Sequence, residues 1–233
     1  MEGPNYARHA FAAEMQNLEH DLLQMGSMAE GMVAQAVEAL VALDPGVAMV
    51  VIRRDDEIDK RDLEIESHCL RLLVLQSPTG SDLREIGAVM KIITDIERVG
   101  DLAVDVAKIA MKIEKEMGTV DFVDLPKIAG IARTMFRDSL EAFVKRDAEL
   151  AVRICQTDDE VDTLYRDLRN QIHEHMRNSP EDVVSTSWIM LALHHIERIA
   201  DHAVNIAERV NFMVTGQLVQ LAKSHQSDSV SGL

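Results

Sequence analysis

Two stretches of this chain place the same acidic and amide groups at the same helical spacing. Glu97, Asp101 and Asp105 recur 100 residues later as Glu197, Asp201 and Asn205, inside the near-identical phrases Asp95-Ile96-Glu97-Arg98-Val99-Gly100-Asp101 and His195-Ile196-Glu197-Arg198-Ile199-Ala200-Asp201. Like charges at i, i+4 on a helix repel by about 0.2–0.5 kcal/mol per pair. A stripe written twice therefore calls for compensation, and a bound cation is the simplest. Each half carries a second carboxylate group upstream. Asp55, Asp59, Asp62 and Glu66 lie along one line of a helix in the first; Asp158 and Asp162 repeat its first two members, with Tyr165 and Arg169 in place of the others. If the two helices of a half pack antiparallel, Asp55 and Asp59 converge on Glu97 and Asp101, and Asp158 and Asp162 on Glu197 and Asp201. All-oxygen sites of that kind favour hard cations such as Mg²⁺, Mn²⁺, Ca²⁺ or iron.

The competing reading is a solvated acidic face balanced by local ion pairs, Arg98 to Asp101, Arg198 to Asp201 and Lys108 to Asp105. Recurrence in both halves, the second carboxylate pair in each, and Glu208 where Lys108 stands in the first copy weigh against it. His194 projects near Glu197, and Asn205 is neutral where Asp105 is charged, so the two sites need not bind metal alike. No catalytic residues are assigned. Ferritin-like di-metal bundles use Glu-x-x-His from two helices, and no Glu here has a His three residues later. Nor is there a Gly-rich phosphate loop, an HExxH or a G-x-S-x-G. A di-metal oxidoreductase or metal-storage bundle stands as the alternative function, and a structural adaptor that binds no metal as a third.

The elements that must position these groups are helices. Hydrophobic residues make up 47% of 233 and aromatics only 3%, with 13 Met, a balance that suits helices packed on helices. A net charge of -16 without a basic patch argues against a nucleic-acid ligand. Cys69 and Cys155 show no metal-ligand spacing and read as ordinary thiols of a reducing compartment. No secretory signal and no apolar run of transmembrane length is visible, so the expected location is cytoplasmic.

From Met15, the residues Leu18, Leu22, Met25, Ala29, Met32, Ala36, Ala39 and Leu43 keep a 3-4 spacing, a packing seam. Asp44-Pro45-Gly46 ends that helix and opens a second to about Gln76; a third runs from about Asp82 to Glu116, with Ser81 as its expected N-cap. The second half repeats the plan, with helices to about Lys145, from Asp147 to Arg177, and to about Thr215. Asp55-Asp56-Glu57-Ile58-Asp59 matches Asp158-Asp159-Glu160-Val161-Asp162 at an offset of 103. The sequence thus predicts an all-α fold of two tandem three-helix bundles of long antiparallel helices related by a pseudo-twofold. The divisions are 1–116, a linker at 117–125, 126–216, and a flexible tail at 217–233. Trp188 and the seam methionines read as core or interface, and Asp21, Glu30 and Glu38 as exposed helix charges.

The paired phrases, with the Asp-Glu-Val/Ile-Asp segments upstream, resemble the PhoU family of phosphate-uptake regulators over almost the whole chain. That resemblance implies two PhoU repeats in a cytoplasmic protein that forms a homodimer and restrains phosphate transport and phosphate-starvation signalling. It implies action between the ATPase of a phosphate-specific ABC transporter and a membrane sensor histidine kinase. It also implies metal at E/D-x-x-x-D motifs, with iron, Mn, Mg or Zn as the cofactor. The matching positions are Asp55 and Asp59, Glu97 and Asp101, Asp158 and Asp162, and Glu197 and Asp201, with Asp105 and Asn205 one turn further.

Overall fold

The computed structural model describes residues 4–116, 118–121 and 123–222. They form α1 (Pro4–Ala42), α2 (Pro45–Gln76), α3 (Ser81–Lys115), α4 (Leu125–Lys145), α5 (Ala148–Asn178) and α6 (Val183–Thr215), with a 3-10 turn at Pro180–Asp182 before α6. The first three helices pack together as one bundle and the last three as another, and α3 packs on α6 and α1 on α4 to join them. The α1 seam is buried as its spacing predicts, from Leu18 and Leu22 through Met25, Ala29, Met32 and Ala36 to Ala39.

The turns that reverse the chain show the duplication at atomic detail. Leu43 and Arg146, 103 residues apart, both enter the left-handed region (φ 50° and 52°). The next residue in each repeat, Asp44 or Asp147, donates its N–H back over the helix end, 3.0 Å to the Ala39 carbonyl and 3.0 Å to the Ala142 carbonyl. Each Asp then caps the following helix. Asp44 accepts from the N–H groups of Gly46 and Val47, and Asp147 from that of Leu150. A carboxylate there satisfies amide donors that a helix start leaves bare. Ser81 departs from expectation: it is the first residue of α3, and the cap position falls to Gly80 (φ 60°), which makes no side-chain cap bond. A positive φ of that kind suits glycine rather than serine.

The repeats are unequal at their starts. At the same offset Leu125, where α4 begins, corresponds to Leu22, so the first part of α1 has no counterpart in α4. That extension is tied to α2, with Glu14 accepting from His68 at 2.7 Å and lying 3.7 Å from Arg71. Glu30, expected as an exposed charge, instead pairs with Arg133 of α4 at 3.2 Å. Helical spacing cannot reveal a partner on a helix 103 residues away. The segment after α6 is described to Ala222: the Leu221 N–H donates to Glu208 at 2.6 Å and Ala222 is buried. The remainder of the tail, 223–233, lies outside the described residues.

Numbers along α3 and α6 run in opposite senses. Arg84 donates to the carbonyl of Met213, Asp95 meets His202 and Asn205, and the Lys112 ammonium sits 3.9 Å from the Trp188 ring centroid. The two copies of the acidic phrase are therefore antiparallel neighbours about a pseudo-twofold near Gly100 and Ala200.

Candidate metal centres

In each bundle the packing of the second helix on the third decides which acidic groups meet. Ile58 of α2 is fully buried against Gly100 of α3, where a Cβ would sit 3.4 Å from its methyl, in ordinary contact. That close approach aligns the carboxylates flanking it. Asp55 and Asp59 of α2 and Asp101 of α3 bear on one another, and Glu97 faces Asp101, Asp62 and Asp59. In the second bundle Glu197 faces Asp201 on its own helix and Asp162 and Asp158 on α5. In both halves the carboxylates of the second helix thus lie within electrostatic reach of those of the third.

Its electrostatics follow from burial among like charges. Loss of water, then the neighbouring carboxylates, raises Asp55, Asp62 and Glu97 above the usual carboxylate range. Glu197 is pushed up to about 7, by burial first and then by Asp201, Asp162 and Asp158 against the opposing Arg198. Asp158 is 3% exposed, the most enclosed of the set. Arg98 offsets part of the first cluster, at 2.9 Å from Asp101 and 3.4 Å from Glu97.

Asp105 and Asn205 lie one turn further and make additional contacts. Asp105 lies 3.6 Å from Lys108 and faces His195 of the other repeat. Asn205 donates at 3.2 Å to Asp95 of α3, which also meets His202 Nδ1 at 2.9 Å. This bridge between the repeats was not legible in the sequence, because the register of α3 on α6 is set by tertiary packing. The only hint was an unpaired polar position, Asp95 and His195, at matching places in the two phrases. Burial outweighs the Asp105 charge and holds the His195 imidazole below its usual range.

Among the described residues no three Asp, Glu, His or Cys side chains are placed so as to hold a metal ion. The donor chemistry nevertheless fits a cation. Asp62 Oδ1 and Glu197 Oε2 are shut off from solvent without a hydrogen-bond donor. His194 Nδ1 is 3.3 Å from Glu197 Oε2, outside hydrogen-bonding geometry. Buried carboxylate oxygens with no donor carry a desolvation cost of about 1–3 kcal/mol or more each, which a cation would remove.

Fold and site together define a duplicated helical protein with one acidic cluster per repeat. A PhoU domain matches residues 22–110 and again 125–210. The phosphate-specific transport system accessory protein PhoU homolog of Clostridium acetobutylicum is 35% identical over 215 residues, covering 92% of this chain and 98% of that protein. The crystal structure of PhoU from Pseudomonas aeruginosa superposes with a TM-score of 0.85 at 36% identity, over 89% of this chain and 100% of that one. The PhoU structure from Streptococcus pneumoniae gives 0.83 at 31% identity, over 90% and 99%. The chain belongs to the PhoU family. As a member it is a non-catalytic regulator of phosphate transport, which sets aside the oxidoreductase alternative. The first matched domain begins at residue 22, so the α1 extension lies outside the repeat itself. No described helix is long and apolar enough to cross a membrane.

Proposed function

We propose that this chain is a cytoplasmic regulator that restrains phosphate uptake and phosphate-starvation signalling by means of two metal-loaded acidic faces. Asp55, Asp59, Glu97 and Asp101 hold one centre, and Asp158, Asp162, Glu197 and Asp201 the other. A divalent ion at each would neutralise the mutual repulsion of its carboxylates and clamp the second helix of a repeat to the third. Asp105 and Asn205 brace the repeats beside these centres. The single observation that carries the reading is Glu197: enclosed, raised to about 7 by burial and three neighbouring carboxylates, and with one oxygen lacking any donor.

Family and charge support a choice of partners. A net charge of -16 suits basic surfaces of the ATPase of a phosphate-specific ABC transporter and of a membrane sensor histidine kinase. The working form is a homodimer. The test is to delete the gene and complement it with the wild-type chain or with Glu97→Ala/Asp101→Ala/Glu197→Ala/Asp201→Ala. Derepressed phosphate uptake on deletion, rescued by the wild type and not by the variant, supports the proposal. Unchanged uptake on deletion removes it, and full rescue by the variant removes the metal from it.

A further inference from the structure

The two centres are built alike but differ at one end. In the first, Asp55, Asp59 and Asp62 of α2 run past Asp101, Glu97 and Thr94 of α3, and Asp62 acts on Glu97. The Thr94 hydroxyl is committed to the Met90 carbonyl at 3.3 Å, so every donor offered there is a carboxylate oxygen. In the second, the place of Asp62 is taken by Tyr165 and that of Thr94 by His194. The two rings stand together, centroids 6.4 Å apart, and the His195 ring lies 6.1 Å from that of His194. Arg169, where the first half has Glu66, lies 5.7 Å from the Tyr165 ring centroid and adds positive charge at that end. The second centre therefore has one carboxylate fewer and one imidazole more.

That imidazole faces the centre. Its Nδ1 lies 3.3 Å from Glu197 Oε2, the oxygen that lacks a hydrogen-bond donor, and the side chain is 48% exposed, so the ring can swing without repacking the core. Resting on the metal-centre reading above, we propose that His194 is a nitrogen ligand of the second centre. The two repeats are then selective for different metals. The first, all oxygen, takes hard ions such as Mn²⁺ and Mg²⁺; the second takes borderline ions such as Zn²⁺ or Fe²⁺, which imidazole suits. The asymmetry arises from two substitutions facing each other across α5 and α6, at Tyr165 and His194, within an otherwise repeated frame.

The experiment uses the full chain stripped by chelator and titrated calorimetrically with Zn²⁺ and with Mn²⁺. It compares wild type, His194→Ala, and Glu97→Gln/Asp101→Asn, in which the first centre is silenced. Loss of an outer-shell partner alone costs about 10–100-fold in metal affinity, so loss of a direct ligand costs at least that. His194→Ala is expected to weaken the tighter Zn²⁺ site by this factor and to leave Mn²⁺ binding at the first centre unchanged, which also shows that the variant is folded. X-ray absorption on zinc-loaded Glu97→Gln/Asp101→Asn is expected to show imidazole scattering that disappears when His194→Ala is added. Zinc binding by His194→Ala equal to wild type, or oxygen-only scattering, overturns the ligand role and leaves the metal centres standing. A wild-type chain that binds neither ion overturns both.

Discussion

Replacing Glu197 with Gln should stabilise the metal-free protein at alkaline pH, although the residue is enclosed and its neighbours are polar. The Glu197 carboxyl titrates near 4.5 when unfolded and is pushed up to about 7 in the fold. Because the folded value is the higher one, the stability is fully present below about 4.5 and is lost as pH rises through about 7. At about 1.36 kcal/mol per pH unit the shift is worth about 3 kcal/mol at face value. The side chain is 19% exposed and Arg198 stands beside it, so screening brings this to about 2 kcal/mol. For a chain of this size that corresponds to a melting-temperature difference of about 4–8 °C. Thermal melts of wild type and Glu197→Gln in chelator, from about pH 4 to about pH 8.5, should coincide at the acid end and diverge by that amount at the alkaline end. Asp55, Asp62 and Glu97 ionise in both proteins and cancel in the comparison. Saturating Zn²⁺ should reverse the order, since a ligand at 100 times its Kd adds about 2.7 kcal/mol to the protein that binds it. A variant less stable than wild type in chelator at pH 8.5, or a difference that does not change with pH, would refute the reasoning.

Other consequences follow from packing and burial. Gly118→Ala would set a Cβ 2.5 Å from the Ser185 Cβ and 3.1 Å from an Ile113 methyl, so the linker must shift; a loss of about 1–3 kcal/mol is expected in denaturant unfolding. Arg146→Ala removes the 2.9 Å partner of the buried Glu85 and places alanine at φ 52°, and should cost about 1–3 kcal/mol at pH 7. Burial raises Glu85, so that loss shrinks in acid as the unpaired carboxyl takes up a proton, and Glu85→Gln should recover part of it. The thiols of Cys69 and Cys155, both buried and both pushed up to about 12, should resist a thiol-reactive dye at pH 8 until the chain unfolds; fast labelling of the native protein would contradict their placement.

Much of this architecture was readable in the residues because it is local. The seam of α1, the Pro45 and Asp44 start of α2 and the end of α6 at Thr215 each follow from periodicity or capping chemistry within a few positions. The electrostatic proximity of Asp55 and Asp59 to Glu97 and Asp101 was also accessible, since a short turn forces α2 to run back against α3. What the sequence withheld depends on contacts between elements far apart in the chain. Ser81 looked like a cap because its hydroxyl is the right chemistry, but the backbone placed Gly80 there. Asn205 read as one more oxygen donor on a stripe, and spacing gave no sign that its amide N–H would also reach Asp95 across the repeats. The partnership of Tyr165 with His194 required knowing how far α5 slides along α6, which no spacing encodes.

Anomalous diffraction from crystals soaked in Mn²⁺ and in Zn²⁺ decides whether the two acidic clusters are metal centres. Peaks are expected between Asp55, Asp59, Glu97 and Asp101, and between Asp158, Asp162, Glu197 and Asp201, with the zinc peak in the second repeat beside His194. Maps without anomalous signal at either cluster, with the same carboxylates turned out into water, would contradict it.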